Sequence, residues 1–571
     1  MAEGPLPSDL NKVDPESAWR AWQPALGGWN RKWAAHLFRR AAFGATEARL
    51  QQALKDGHAK TLDALVTGEA DAPERLELLT ETGRYYSDPA SLRTWWLYAM
   101  LESGHPLREK LSLFWHNHFA TSYAKVRSTK LMYEQNVTIR KHALGTFPPF
   151  LLEMSKDTAM LVWLDSNRNV KGGPNENFAR EVMELFALGV GNGNYTERDI
   201  QEAARALTGW HHDAEVSTFE FNRELHDDGT KTVFGKSGKF TGEDVVKICT
   251  EHPACAPFLV SKLYAFLVSE TAPPKALLAP LAEQYRKSGY DTAALVRTML
   301  SSRLFFSEHA YRKRVKWPVE CALGAIQTAS PDRVPLGDVV EPLSKMGQAL
   351  FAPPNVKGWR TGTDWLNSAT LLARNNFTEK VALGDWSRGP RARPNGRTFA
   401  FVGEPVKPTA EVPKGDTPSA PPPDAKFDVC ALVYATKPKT VSDVVKRIGE
   451  LLYGDAIPLP VAQKVETFLL TPQPDGPRVP PNPKGPGSGP PGAPNDGLER
   501  VGVDFDGQPP KKAAKVDDKD APPPKPKQPE PKRVPPKPLN PKDVKVEDAA
   551  FKARVREAVH AMMCLPEYQL G

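Results

Sequence analysis

Proline and tryptophan divide this chain between them. All 13 tryptophans fall between Trp19 and Trp386, whereas 22 of the 56 prolines crowd between Thr471 and Lys545. Proline fixes φ and lacks an amide donor, so a segment this rich in it joins neither a helix interior nor a sheet ladder. Its composition favours polyproline II and disorder. The tryptophan-rich part must therefore supply the core, and in a chain of 571 residues it is long enough to do so.

Within that part the apolar residues recur with the helical period. Trp29, Trp33, Leu37 and Ala41 stand at i, i+4, i+8 and i+12, with Gly44 placed to end the helix. Thr46 is positioned to cap the next helix, which stops at Gly57, and Pro106 opens the run to Phe119. Further helices are expected over roughly 129–144, 147–164, 176–188 and 197–207, the last begun by a capping box of Thr196 and Asp199. From Ser217 to Gly242 the texture changes. Phe219 and Phe221 alternate with polar residues, and Asp228-Gly229 precedes Lys231, which predicts one small β-hairpin. Helices resume from 243 to 349, and 351–367 reads as a loop.

The expected fold is thus mainly α, a multi-helix globular domain with one β-hairpin, interrupted by proline-rich inserts. Residues 1–28 read as a polar arm, 29–384 as the main helical domain and 387–426 as a Pro/Gly-rich linker. Residues 427–470 are helical again, 471–545 form the disordered insert, and 546–571 carry a helix with Phe551, Val555, Val559 and Met562 on one face. A single helix cannot bury such a stripe by itself, so it is expected to return to the domain.

Bulk properties exclude several classes. No run of about 18 apolar residues exists, so no membrane-spanning helix is expected. Five scattered cysteines form no disulfide framework, and the start shows no basic segment leading into an apolar one. A reduced, cytoplasmic setting is the default expectation. The net charge of +7 is spread thinly, and the 471–545 insert alone carries 14 basic against 10 acidic residues, so nucleic-acid binding is disfavoured. No P-loop, dinucleotide fingerprint or nucleophile elbow is present.

Four constellations carry candidate chemistry. His116 and His118 end the helix begun at Pro106; on a helix their side chains diverge, so one shared metal would require the helix to break. A hydrogen-bonded core histidine at 118 explains the pattern as well. Asp165, Asn167, Asn169 and Glu176 match positions 1, 3, 5 and 12 of a calcium loop, making Ca²⁺ or another divalent metal the candidate cofactor. Val170 stands where that loop needs glycine, and an Asn-rich capping turn fits equally. Arg180, Glu181 and Glu184 share the polar face of one helix, as an acid/base carboxylate with a positioning arginine would, or as a solvated ion-pair face would. His226 and Asp227, at the expected hairpin tip, suit proton transfer or ordinary turn chemistry.

The segments Ala34–Gly44, Leu107–Phe119, Pro174–Phe186, Leu207–Trp210, His226–Lys231, Val356–Trp359 with Trp365–Ser368, and Leu565–Leu570 occur in order and resemble a bacterial family, domain of unknown function 1800. The resemblance implies members that are often exported, encoded near a second family, domain of unknown function 1501, that resembles sulfatases. It carries no catalytic residues.

Two function classes follow. In one, the four constellations converge on one cleft for acid/base or metal-assisted hydrolysis of a polysaccharide or sulfated polymer. In the other, the protein is a non-catalytic interaction or scaffold protein working with the sulfatase-like companion. Convergence around a concave pocket favours the first, and dispersal over separate faces removes it.

Overall fold

The computed structural model describes residues 4–69, 88–191, 193–212, 218–330, 334, 336–384, 428–472 and 537–571. The linker at 387–426 and nearly all of the 471–545 insert lie outside the described residues, so the disorder expected of them does too. Residues 1–469 with 545–571 form one compact unit and 470–544 a second. In the second, Leu539 donates its amide to the Leu470 carbonyl at 2.9 Å, and Asn540 caps a single 3₁₀ turn, Pro541–Asp543.

The fold class is mainly α, as expected: among the described residues, helices are joined by two small two-stranded sheets. Near the start, α1 (Arg31–Ala41) begins at Asn30, whose side chain accepts the Trp33 amide. Then follow α2 (Pro89–Glu102), α3 (Pro106–His118) and α4 (Thr129–His142). Eleven of the 13 residues of α3 are buried, so this helix runs through the core rather than lying on it with one face. Its polar groups must then find partners inside the protein. Glu109 binds Arg140, Lys110 binds Glu320 and Trp115 Nε1 donates to the Ala143 carbonyl at 2.9 Å.

Several elements differ from expectation for local reasons. The helix predicted over 147–164 is two helices, Phe147–Ser155 and Thr158–Trp163, because Asp157 leaves helical geometry to cap the second by accepting the Met160 amide. The helix predicted over 176–188 is a short α-helix, α5 (Asn177–Glu181), running into a π-helical turn over Val182–Ala187. The capping box at Thr196 is present and starts α6 (Glu197–Ala206). The polar arm is partly ordered into the body, since Pro15–Trp19 is helical and Trp19 Nε1 reaches the Leu277 carbonyl at 2.6 Å.

The single hairpin is instead two sheets. β1 (Trp210–His212) pairs antiparallel with β2 (Phe219–Phe221), and β3 (Lys231–Val233) pairs with β4 (Lys236–Gly238). The two-residue turn of the second hairpin is Phe234-Gly235, both at positive φ as a type I′ turn requires. Asp228-Gly229 is not a hairpin tip: it lies between the sheets, where Asp227 Oδ1 accepts the Gly229 amide.

The rest of the body is helical, including α7 (Cys255–Leu267), α8 (Pro318–Ala329), α9 (Ser368–Leu383) and α10 (Val441–Tyr453). The last long helix, α11 (Ala549–Met563), buries Phe551, Val555, Val559 and Met562 against α9 and α10. Tyr453 Oη fastens it by donating to the Met562 carbonyl at 2.7 Å.

Candidate functional site

The helix α3 continues through His118, so its two histidines enter different surroundings. His116 stands among Trp96, Phe351 and Trp359, with ring centroids 5.2–5.5 Å away. Neither ring nitrogen has a hydrogen-bond partner among the described residues, and burial holds its pKa down to about 3. His118 packs against Phe114, Phe119, Phe186 and Phe258, and its Nε2 lies 3.1 Å from the Phe186 carbonyl. Burial, with Lys262 nearby, keeps it well below the usual histidine range. Both are neutral core histidines, and no shared metal site forms between them.

Between the two, Asn117 ties down a distant loop. Its Oδ1 accepts the Trp359 amide at 2.6 Å. Gly358 makes the approach close: its φ is +88°, and a Cβ there would stand 2.3 Å from Asn117 Oδ1.

The polar face of α5 is an ion-pair network. Arg180 binds Glu197 through both terminal nitrogens at 2.9 and 2.7 Å, and also reaches Glu176 at 3.0 Å and Glu184 at 3.4 Å. Glu181 stands apart. Half-buried and repelled by Glu184, its carboxyl is pushed up to about 7, with Arg180 and Lys357 opposing the shift. The π turn that follows it places the Phe186 carbonyl on His118.

The calcium-loop residues do not assemble a cage. Asp165 pairs with Lys125 at 2.8 Å, and Glu176 with Arg180. Asn167 Oδ1 accepts the His212 amide, while Asn169 Oδ1 accepts the Asn175 amide and its Nδ2 donates to the Ala204 carbonyl. Each of the four side chains is thus engaged by an N–H donor. Among the described residues no three His, Cys, Asp or Glu side chains converge in metal-binding geometry.

The loop between the sheets is likewise stitched in place. His226 is buried, with Nδ1 2.8 Å from the Thr208 carbonyl. Asp227 pairs with Arg205 of α6 at 2.8 Å, which lowers its pKa. The candidate residues are therefore engaged in four settings: the aromatic core at the end of α3, the turn of Asp165, Asn167 and Asn169, the α5 network, and the loop held by the end of α6.

Two features escape a reading of the sequence. The first is a groove of about 700 Å³ walled by residues 4–8, 20–23 and 303–313. Trp22 stacks on Phe306 at 4.3 Å and meets Trp33 edge-on at 6.0 Å; both tryptophans are half-buried and line the groove. Arg20, Arg303 and Lys313 outnumber Glu308 along its walls, and His309 binds the Pro7 carbonyl across it. The second is a set of buried cations around Glu320. Lys110 carried a signal of it, because it sits between Leu107 and Phe114 on an apolar face of α3.

The family described as "Protein of unknown function (DUF1800)" matches residues 36–570. No curated protein and no solved structure matches the chain.

Proposed function

We propose, for a chain that belongs to the DUF1800 family of proteins of unknown function, a binding role in which the groove takes a strand of acidic polysaccharide. The observation that supports this is the Trp22–Phe306 stack beside Trp33 under a basic wall. Aromatic faces receive the C–H face of a sugar ring, and an excess of positive charge along the wall draws an anionic polymer to it. The groove also has the size of a ligand site. The sulfatase-like companion would then act on the polymer that this chain holds. Affinity electrophoresis through gels containing dextran sulfate or neutral dextran tests the reading. Retardation by the sulfated polymer, reduced about tenfold in Trp22→Ala, is expected; equal mobility in both gels, or no effect of the substitution, defeats it.

Glu181 supports a second, hydrolytic reading. A carboxyl with a pKa near 7 is protonated below neutrality and suits a general acid. Chromatography of a sulfated polymer after incubation with the protein between pH 5 and 8 decides it. Shortened products that disappear in Glu181→Gln uphold this role; an intact polymer with the wild type dismisses it.

A further inference from the structure

Beneath α1, four stretches of chain far apart in sequence meet around a cavity of about 50 Å³: residues 35–50, 314–328, 451–454 and 568–571. A water needs about 10–15 Å³ by this measure, so the space holds several waters or one tetrahedral ion. Arg39, Arg314, Lys316 and Glu320 line it, and Arg40 stands directly behind, with Nη1 3.9 Å from where a Gly571 Cβ would be. Glu320 is the one carboxylate in the lining, and it is already engaged by both terminal nitrogens of Arg314 at 2.6 Å and by Lys110. Glu270 acts on Arg40 only from beyond pairing distance, with its Oε2 accepting the Val315 amide at 2.9 Å. Arg40 is fully buried and donates through Nη2 to the Ala310 carbonyl, while its Nε and Nη1 have no partner among the described residues. Lys316 rests its ammonium over the Tyr568 ring at 3.7 Å and forms no ion pair among the described residues.

Buried cations without a paired carboxylate are costly, and burial pulls Arg40 down to about 9 and Lys316 down to about 7. We propose that this cavity is an internal oxyanion site, taking one free phosphate or sulfate ion against Arg40, Lys316 and Arg39. The ion would bridge α1 to the segments that follow each proline-rich insert. It would thus favour the closed chain over any state in which those segments separate. The site is independent of the polysaccharide groove and shares no lining residue with it.

The test follows thermal unfolding of the full chain while phosphate or sulfate replaces chloride at constant ionic strength. A saturable rise of a few degrees is expected, since a ligand bound only by the native state stabilises it. Loss of that rise in Lys316→Met and in Arg40→Met is the supporting result. A rise equal in wild type and variants reflects general salting effects and overturns the proposal. So does a wild type without response, as would follow if waters or the α-carboxylate of a chain closing at Gly571 fill the space. Should the variants fail to fold, equilibrium dialysis of the wild type against radiolabelled phosphate decides: about one ion per chain upholds the site and none overturns it.

Discussion

Asn117 Oδ1 accepts the Trp359 backbone N–H at 2.6 Å, joining the end of α3 to a loop 242 positions further along the chain. The contact is part-buried, and the glycine before Trp359 approaches so closely that no side chain fits between. Replacing Asn117 with alanine strands a backbone donor and should cost about 1–3 kcal/mol of stability. Gly358→Ala should cost at least as much, through both its positive φ and the overlap with Asn117. Urea denaturation of the two variants checks this; wild-type midpoints would show the contact to be unimportant.

How much of this could be read from the sequence depends on the range of each interaction. The capping box at Thr196 and Asp199 and the stop at Gly57 are settled within one helical turn, and they are where the pattern puts them. The π turn after Glu181 has no local signature, because Val182 and Phe186 keep an apolar face under either helical register. The calcium-loop spacing was legible, but most competitors for its oxygens were not: Lys125 and His212 arrive from other parts of the fold, and only Arg180, one turn after Glu176, is local. The groove and the cation cavity are assembled from stretches hundreds of residues apart, which periodicity does not register.

Glu320 is the pivot of the buried charges. It binds Arg314 in a fork, pairs with Lys110 and accepts the Trp317 amide at 2.7 Å at the start of α8. Glu320→Gln keeps the shape but leaves two buried cations without a counter-ion, so a loss of about 3–5 kcal/mol is expected. Chemical denaturation measures it. A variant within 1 kcal/mol or so of wild type would mean that another anion compensates these cations.

His116 gives the fold a dependence on pH. Its pKa is about 3 in the native state against roughly 6.5 in an unfolded chain. The unfolded state therefore binds the proton first as pH falls, and stability is retained above about pH 6.5 and lost progressively below it. The slope from this one residue reaches about 1.4 kcal/mol per pH unit. His36 and His118 act in the same direction. His116→Leu should leave stability near pH 7.5 little changed, since neither ring nitrogen has a partner among the described residues, and should flatten the fall between pH 6.5 and 4. Parallel curves for wild type and variant would contradict a buried, neutral His116.

The long insert and the helix beyond it should differ sharply in what they contribute. Leu470 and Leu539 meet at 2.9 Å through their backbones, so a short connection can span the gap that removal of 473–536 leaves. Excising them and closing the gap with a short Gly/Ser linker should change the thermal midpoint by no more than a degree or two, because loop-closure entropy varies only slowly with length. Truncation at Thr471 removes α11 as well. That uncovers the surfaces of α9 and α10 on which Phe551, Val555, Val559 and Met562 pack, each worth about 1.5–3 kcal/mol when buried. The truncated chain should therefore unfold many degrees lower or fail to fold. Equal midpoints for the two deletions would mean that α11 does not hold the body together, whereas a large loss from excision alone would give the insert a structural role of its own.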